Sequence, residues 1–270
     1  MSTRRHYRSV FVSDIHLGAV GARTAEVRDF LSSVSCDRLY LVGDIIDGWV
    51  GRKDRKWTPP HTEVLRMILE FDQLGTQVFY CPGNHDAFMR RVLGVELGNM
   101  LIEHSFTHTT VEGKELLVVH GDLFDKPVTE HRTWAVIGAW MHEAISMATQ
   151  RLSQKRQEQG RRPIDLASML KTTVKRYIGK KSQYEELICQ YARDNGFDGV
   201  VCGHVHRPRI EHSSDGFVYI NTGDWVEHAT AVVEHDDGTF ELLSLWEPPA
   251  SENPKIAEVL RGLVTPKSPE

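Results

Sequence analysis

Five short clusters in the chain carry residue types that hold and use metal ions. They are Asp14-Ile15-His16, Gly43-Asp44-Ile45-Ile46-Asp47, Gly83-Asn84-His85-Asp86, His120-Gly121-Asp122 and Gly203-His204-Val205-His206. A carboxylate can bridge two cations. An imidazole can ligate through one nitrogen while a neighbour orients its other N–H. Carboxylate, amide and imidazole donors together suit Mn, Fe or Zn, and lack the thiolates of a structural zinc site. Gly43, Gly83, Gly121 and Gly203 let the backbone turn tightly where it must approach an ion. If the D-x-H and H-x-H pairs are extended, both side chains of each fall on one side, because strand side chains alternate with period two. Any one cluster could arise by chance in a chain with 14 histidines. His6, His61, His104, His108, His131, His142, His212, His228 and His235 are read as satisfied or solvated residues.

The series gains weight from what precedes each cluster. Short apolar runs read as buried strands at Ser9 to Val12, Leu39 to Val42, Val78 to Cys81, Leu116 to Val119 and Gly199 to Cys202. Each run ends directly at one of the clusters. Open α/β sheets place functional groups at the carboxyl ends of their strands, so the clusters are expected to converge. Helical patterns lie between the first strands. One starts at a Thr24 cap and carries Val27, Phe30, Leu31 and Val34. Another follows Pro59-Pro60, carries Val64, Leu65, Ile68, Leu69 and Leu74, and stops at Gly75. After Gly203 the pattern turns to hairpins, with strands expected at Phe217 to Ile220, Thr230 to Val233 and Phe240 to Leu245. The fold class is α/β with an antiparallel portion.

The 270 residues suffice for one large domain with an insertion. A net charge of -5 argues against a uniformly basic nucleic-acid binder. The apolar run after the N-terminal arginines is too short for a signal peptide or a membrane span, so a cytoplasmic location is expected. Cys36, Cys81, Cys189 and Cys202 form no C-x-x-C and read as small buried residues.

Residues 124–181 read as a helical insertion, and 247–270 as a loosely held C-terminal tail after a domain spanning 1–246. Trp134, Ile137, Met141, Ile145, Ala148 and Leu152 recur at helical spacing. So do Ile164, Ala167, Leu170, Val174 and Tyr177. A capping box at Ser182 and Glu185 opens a further helix that stops at Asn195-Gly196. From Arg151 to Lys181 ten basic residues face only Glu158 and Asp165, a net +8 against -13 for the rest of the chain. A basic, amphipathic helix pair fits an anionic lipid or nucleotide substrate, or peripheral contact with an anionic membrane surface. A solvated helix face packed on the domain fits equally. Lys171, Lys175 and Arg176 are the candidate substrate contacts.

The series D-x-H, G-D, G-N-H-D, H-G-D and G-H-x-H resembles the calcineurin-like metallophosphoesterases, over roughly Tyr7 to Leu245. The resemblance implies a four-layer α/β/β/α sandwich (the metallophosphoesterase fold) with two stacked sheets. It implies two divalent ions, usually Mn2+. Asp14, His16 and His206 would hold one ion; Asn84, His120 and His204 would hold the other; Asp44 would bridge them. His85 would sit beside the scissile phosphate, so that the catalytic set is His85, Asp44 and Asn84. Asp47 and Asp86 could orient histidines or be ordinary turn carboxylates. Within the superfamily, Gly43 to Trp49, the insertion after His120 and Asn221-Thr222-Gly223-Asp224-Trp225 look like the UDP-2,3-diacylglucosamine pyrophosphatases. That group cleaves a lipid-linked nucleotide pyrophosphate to a lipid monophosphate and UMP. Its best-known members carry Arg where this chain has His85. The alternatives from other classes are a soluble phosphodiesterase or phosphomonoesterase, and a non-catalytic binding scaffold.

Overall fold

Alternating side chains put the apolar runs to use on both faces of two β-sheets. The computed structural model describes residues 4–19, 21–48, 57–125 and 184–246. In chain order the elements are β1 (Arg5–Val12), α1 (Thr24–Ser33), β2 (Val34–Leu41), α2 (Pro59–Gln73), β3 (Gln77–Tyr80), β4 (Glu96–Leu97), β5 (Met100–Ile102), β6 (Phe106–Thr109) and β7 (Glu115–Val118). A helix over residues 184–194 follows. Then come β8 (Gly199–Cys202), β9 (Arg209–His212), β10 (Val218–Asn221), β11 (Thr230–Glu234) and β12 (Phe240–Ser244). The first sheet has the order β12-β11-β1-β2-β3-β5-β4, and the second β6-β7-β8-β10-β9. The strands β1, β2, β3 and β5 are parallel, as are β7, β8 and β10. Antiparallel strands flank both groups.

Period-two alternation divides the core between two layers. Val10 and Val12 of β1, with Leu39 and Leu41 of β2, pack in one cluster with Val27, Phe30 and Leu31 of α1 and Val64, Ile68 and Phe71 of α2. Phe11 and Tyr40, between them in sequence, face the other way and join Leu116, Val118, Val201 and Ile220 of the second sheet. Their rings stack with centroids 4.6 Å apart. A strand buried on both faces must be apolar throughout, which is why these runs show no polar alternation. The result is the α/β sandwich of two stacked sheets expected from the sequence. Truncating Phe11 to alanine would open a cavity costing about 3–5 kcal/mol.

Local boundaries differ from expectation in ways that pairing explains. Val34 is the first residue of β2, not part of α1's buried stripe, because it pairs with Arg5 as β1 and β2 start together. Thr24 is the first helical residue, and Arg23 occupies the cap position without a side-chain bond. The short strands β4, β6 and β9 carry too few apolar residues to announce themselves, and β5, though apolar throughout, is only three residues long. The stop at Gly75 and the turn at Gly196 hold, both with φ above 80°.

The chain divides into two compact units, Met1–Gly121 with Cys189–Glu270, and Asp122–Ile188. Both sheets belong to the first. The helices expected within 124–181, the residues Lys171, Lys175 and Arg176, Ser182 and the tail 247–270 lie outside the described residues. No helix of the described residues is long and apolar enough to cross a membrane.

Candidate metal centre

Each expected ligand follows a strand rather than lying in it, and most adopt a backbone conformation that side-chain-bearing residues avoid. Asp14, His16, Asp44, His204 and His206 have φ of 52°, 52°, 53°, 68° and 51°. This corrects the expectation of extended D-x-H and H-x-H segments. Left-handed turns, not strand alternation, bring both side chains of each pair to one side. Such conformations cost of order 1–3 kcal/mol each and persist where surrounding bonds over-determine them. Here Asp14 N–H donates to Gly43 O, His16 N–H to Asp44 O and Leu17 N–H to Ile45 O, each at 2.9 Å. The loops after β1 and β2 are thereby laced together.

The side chains gather in three overlapping groups. Asp14, His16 and His206 offer ligand atoms within 4.8 Å of one another; so do Asp44, His120 and His204; so do His16, Asp44 and His85. His206 Nε2 is 3.1 Å from Asp14 Oδ1, and His16 Nε2 is 3.7 Å from the same oxygen. His120 Nε2 lies 3.3 Å from Asp44 Oδ2. The Nδ1 of His120 is 2.8 Å from the Val42 carbonyl, so it carries the proton and Nε2 turns to the centre with its lone pair. Asn84 stands between Gly83 and His85 with its Oδ1 buried. A Cβ at Gly83 would collide with Asp44 Oδ1 and His120 Nε2, so the backbone passes the centre at a distance only glycine allows.

The donor set fits divalent cations. His16 Nε2 is buried and makes no hydrogen bond among the described residues, an arrangement that costs free energy unless something binds it. Burial alone would raise the carboxyl pKa of Asp14, but the His206 and His16 imidazoles outweigh it and hold the group well below the usual range. Asp44 behaves alike: burial raises it, and His120, His85 and His16 bring it down further. Burial would lower His206, yet Asp14 pushes it up to about 9. Buried anions that hold a proton on a neighbouring imidazole form a site that draws positive charge, and a metal ion would displace that proton.

The calcineurin-like phosphoesterase family model matches residues 7–208, which include every one of these groups. The chain belongs to the calcineurin-like phosphoesterases. As a member of that family with its His and Asp groups clustered at the strand ends, it is a metal-dependent phosphoesterase with a site for two metal ions. It is 25% identical over 241 residues to a UDP-2,3-diacylglucosamine hydrolase of Haemophilus influenzae, covering 87% of this chain and 98% of the relative. The same enzyme of Marinobacter nauticus is 26% identical over 228 residues, covering 82% and 90%. Among solved structures, the Escherichia coli phosphoesterase Yfce aligns at a TM-score of 0.41 and 14% identity, over 88% of this chain and 99% of that one.

Three further features of this phosphoesterase escape sequence reasoning or amend it. Asp47 does orient a histidine: its Oδ1 is 3.2 Å from His85 Nδ1. Asp86 does not. It accepts from Ile45 N–H, Gly83 N–H and the Tyr80 hydroxyl, and so ties the loop after β3 to the loop after β2. The run Asn221 to Trp225, noted only as part of a resemblance, braces the last cluster. Asn221 Nδ2 donates to Gly203 O, and its Oδ1 accepts from Gly223 N–H and Arg207 N–H. Asp224, fully buried, accepts from Val226 and Glu227 N–H and pairs with His228, which is therefore not merely solvated.

Proposed function

We propose that this phosphoesterase hydrolyses a phosphoester or phosphoanhydride bond with two divalent cations. Asp14, His16 and His206 hold one, Asn84, His120 and His204 the other, and Asp44 serves both. The observation that carries this reading is the sharing of residues between groups: His16 and Asp44 each belong to two of the three clusters. The proposed metal is Mn2+, with Fe or Zn also suited to these donors. Bound by these residues, two divalent cations would supply an acidified water and charge neutralisation on the phosphoryl oxygens.

The remaining chemistry falls to the chain's own groups. Asp47 Oδ1 accepts a hydrogen bond from His85 Nδ1–H and fixes that ring, with Nε2 4.0 Å from Asp44 Oδ2 and on the centre's side. Protonated, Nε2 gives its proton to the oxygen leaving phosphorus. The carboxylate of Asp47 stabilises the imidazolium that serves as donor.

The proposed substrate is UDP-2,3-diacylglucosamine or a related lipid-linked or nucleotide pyrophosphate, cleaved to a lipid monophosphate and UMP. The support is the consistent similarity to enzymes of that name along most of their length, together with the basic stretch 151–181. That stretch would meet the anionic lipid or the cytoplasmic face of the inner membrane. A panel of UDP-diacylglucosamine, nucleotide diphosphates, cyclic nucleotides and aryl phosphates, run with Mn2+, tests it. UMP release from the lipid nucleotide at the highest kcat/KM is expected. Hydrolysis of aryl or cyclic esters alone would leave the soluble phosphodiesterase in its place.

A further inference from the structure

The Asp14 carboxylate is reached from behind by two buried hydroxyls. Ser13 Oγ lies 2.5 Å from Asp14 Oδ2, 2.6 Å from Thr222 Oγ1 and 3.1 Å from the Gly223 carbonyl. Thr222 Oγ1 is also 3.3 Å from the Cys202 carbonyl. Ser13, Asp14 and Thr222 are all fully buried. Ser13 follows β1 in the first sheet, while Thr222 and Cys202 lie at the ends of β10 and β8 in the second. The hydroxyls therefore close the junction of the two sheets directly behind the centre.

Proton counting orders the chain. There are two hydroxyl protons and several acceptors, of which only the carboxylate is charged. The Ser13–Asp14 contact of 2.5 Å has the length of a charge-assisted O–H···O⁻ bond, so Ser13 donates to Asp14. Ser13 has then spent its proton. Two oxygens 2.6 Å apart need a proton between them, so Thr222 donates to Ser13. Each bond polarises the next. Asp14 Oδ2 also accepts from His204 N–H at 3.0 Å. That oxygen is committed to the protein, and Oδ1 is the one left facing His16 and His206.

Resting on the two-metal reading above, we infer that Ser13 and Thr222 are positioning residues for the metal held by Asp14. The relay Thr222 O–H to Ser13 O–H to Asp14 Oδ2 fixes the carboxylate's rotation and presents a single oxygen to the ion. Thr222 acts only through Ser13. Groups that orient a metal ligand from behind commonly govern affinity without touching the ion.

The test is calorimetric titration of the full-length, metal-stripped chain with Mn2+ alone. Ser13→Ala and Thr222→Val should each weaken one of two binding events by roughly 10–100-fold and leave the other in place. Thr222→Ser, which restores the hydroxyl, should bind within about threefold of wild type, since the hydrogen bond is regained. The double variant Ser13→Ala/Thr222→Val should bind no worse than Ser13→Ala, because a residue acting through another adds nothing once that other is gone. Thr230→Val removes a neighbouring buried hydroxyl that donates to Thr222 O at 2.8 Å but stands outside the relay. It should lower the melting temperature without changing Mn2+ affinity. Wild-type affinity in Thr222→Val, no recovery in Thr222→Ser, additive losses in the double variant, or an equal loss in Thr230→Val would each overturn the relay. A wild-type chain that takes up no Mn2+ would overturn the two-metal reading itself, and the relay with it.

Discussion

His85 Nδ1 lies 3.2 Å from Asp47 Oδ1, a buried carboxylate three residues after Asp44 in the segment that follows β2. The pairing holds the ring by Nδ1 and sets Nε2 on the Asp44 side, 4.0 Å from Asp44 Oδ2. His85→Ala should keep its metals and lose about 10²–10⁴ in kcat, the usual scale of general acid–base catalysis. The loss should be larger for an alkyl ester than for p-nitrophenyl phosphate, whose leaving group departs without a proton. Equal losses would make His85 an electrostatic clamp. Asp47→Asn should lower kcat in the same substrate-dependent way, by less than His85→Ala.

Asp44 accepts from His85 N–H at 2.7 Å through one oxygen and faces His120 with the other. If it serves both ions, Asp44→Ala should lose both and abolish turnover, whereas a ligand of one ion alone should leave the other bound. Metal analysis after dialysis measures this. Near-normal content in Asp44→Ala would remove the bridge from the scheme.

Glu234 is a buried carboxylate remote from the centre in sequence, and it joins the two sheets. Its oxygens meet His108 Nε2 and Arg8 Nη1, each at 2.9 Å. Burial would raise its pKa, but the bond to His108 leads the groups that bring it below the ordinary value. A carboxyl lowered by folding stabilises the fold above its unfolded pKa, about 4.3 for Glu. That contribution drains away as pH falls through the lower, folded value. Glu234→Gln should therefore cost several kcal/mol at pH 7, about 3–5 by analogy with other broken buried pairs. The gap between variant and wild type in urea denaturation should shrink as pH drops below about 4.3. A gap independent of pH would mean that the charge contributes nothing.

Charge reversal at Lys171, Lys175 and Arg176 addresses the basic insertion. If it meets the lipid nucleotide, KM for that substrate should rise far more than KM for a small aryl phosphodiester. Equal effects on both would make the stretch an ordinary solvated surface.

The clustering of His and Asp groups at the strand ends and the sheet core were legible in the sequence for a physical reason. A strand buried on both faces must be a continuous apolar run, and the polar groups at its end interrupt it abruptly, as at Val12 to Asp14 and Cys202 to His204. The conformation at those ends was not legible. Nothing in Asp-Ile-His distinguishes an extended segment from a left-handed turn, which here is imposed by bonds to residues some thirty positions away such as Gly43 and Asp44. Ser13 and Thr222 were equally silent, since a lone hydroxyl has no periodicity and its partner lies 209 residues along the chain. Val34 misled because it suits α1's apolar spacing as well as it suits β2; its pairing with Arg5 decides.

On the proposed two-metal mechanism, hydrolysis needs two ions in one centre. Metal-stripped protein should be titrated with Mn2+ while hydrolysis of bis-p-nitrophenyl phosphate is followed. No turnover is expected without metal, and a rise that levels off at two equivalents per chain. Turnover in the stripped protein, or a plateau at one equivalent, would contradict it.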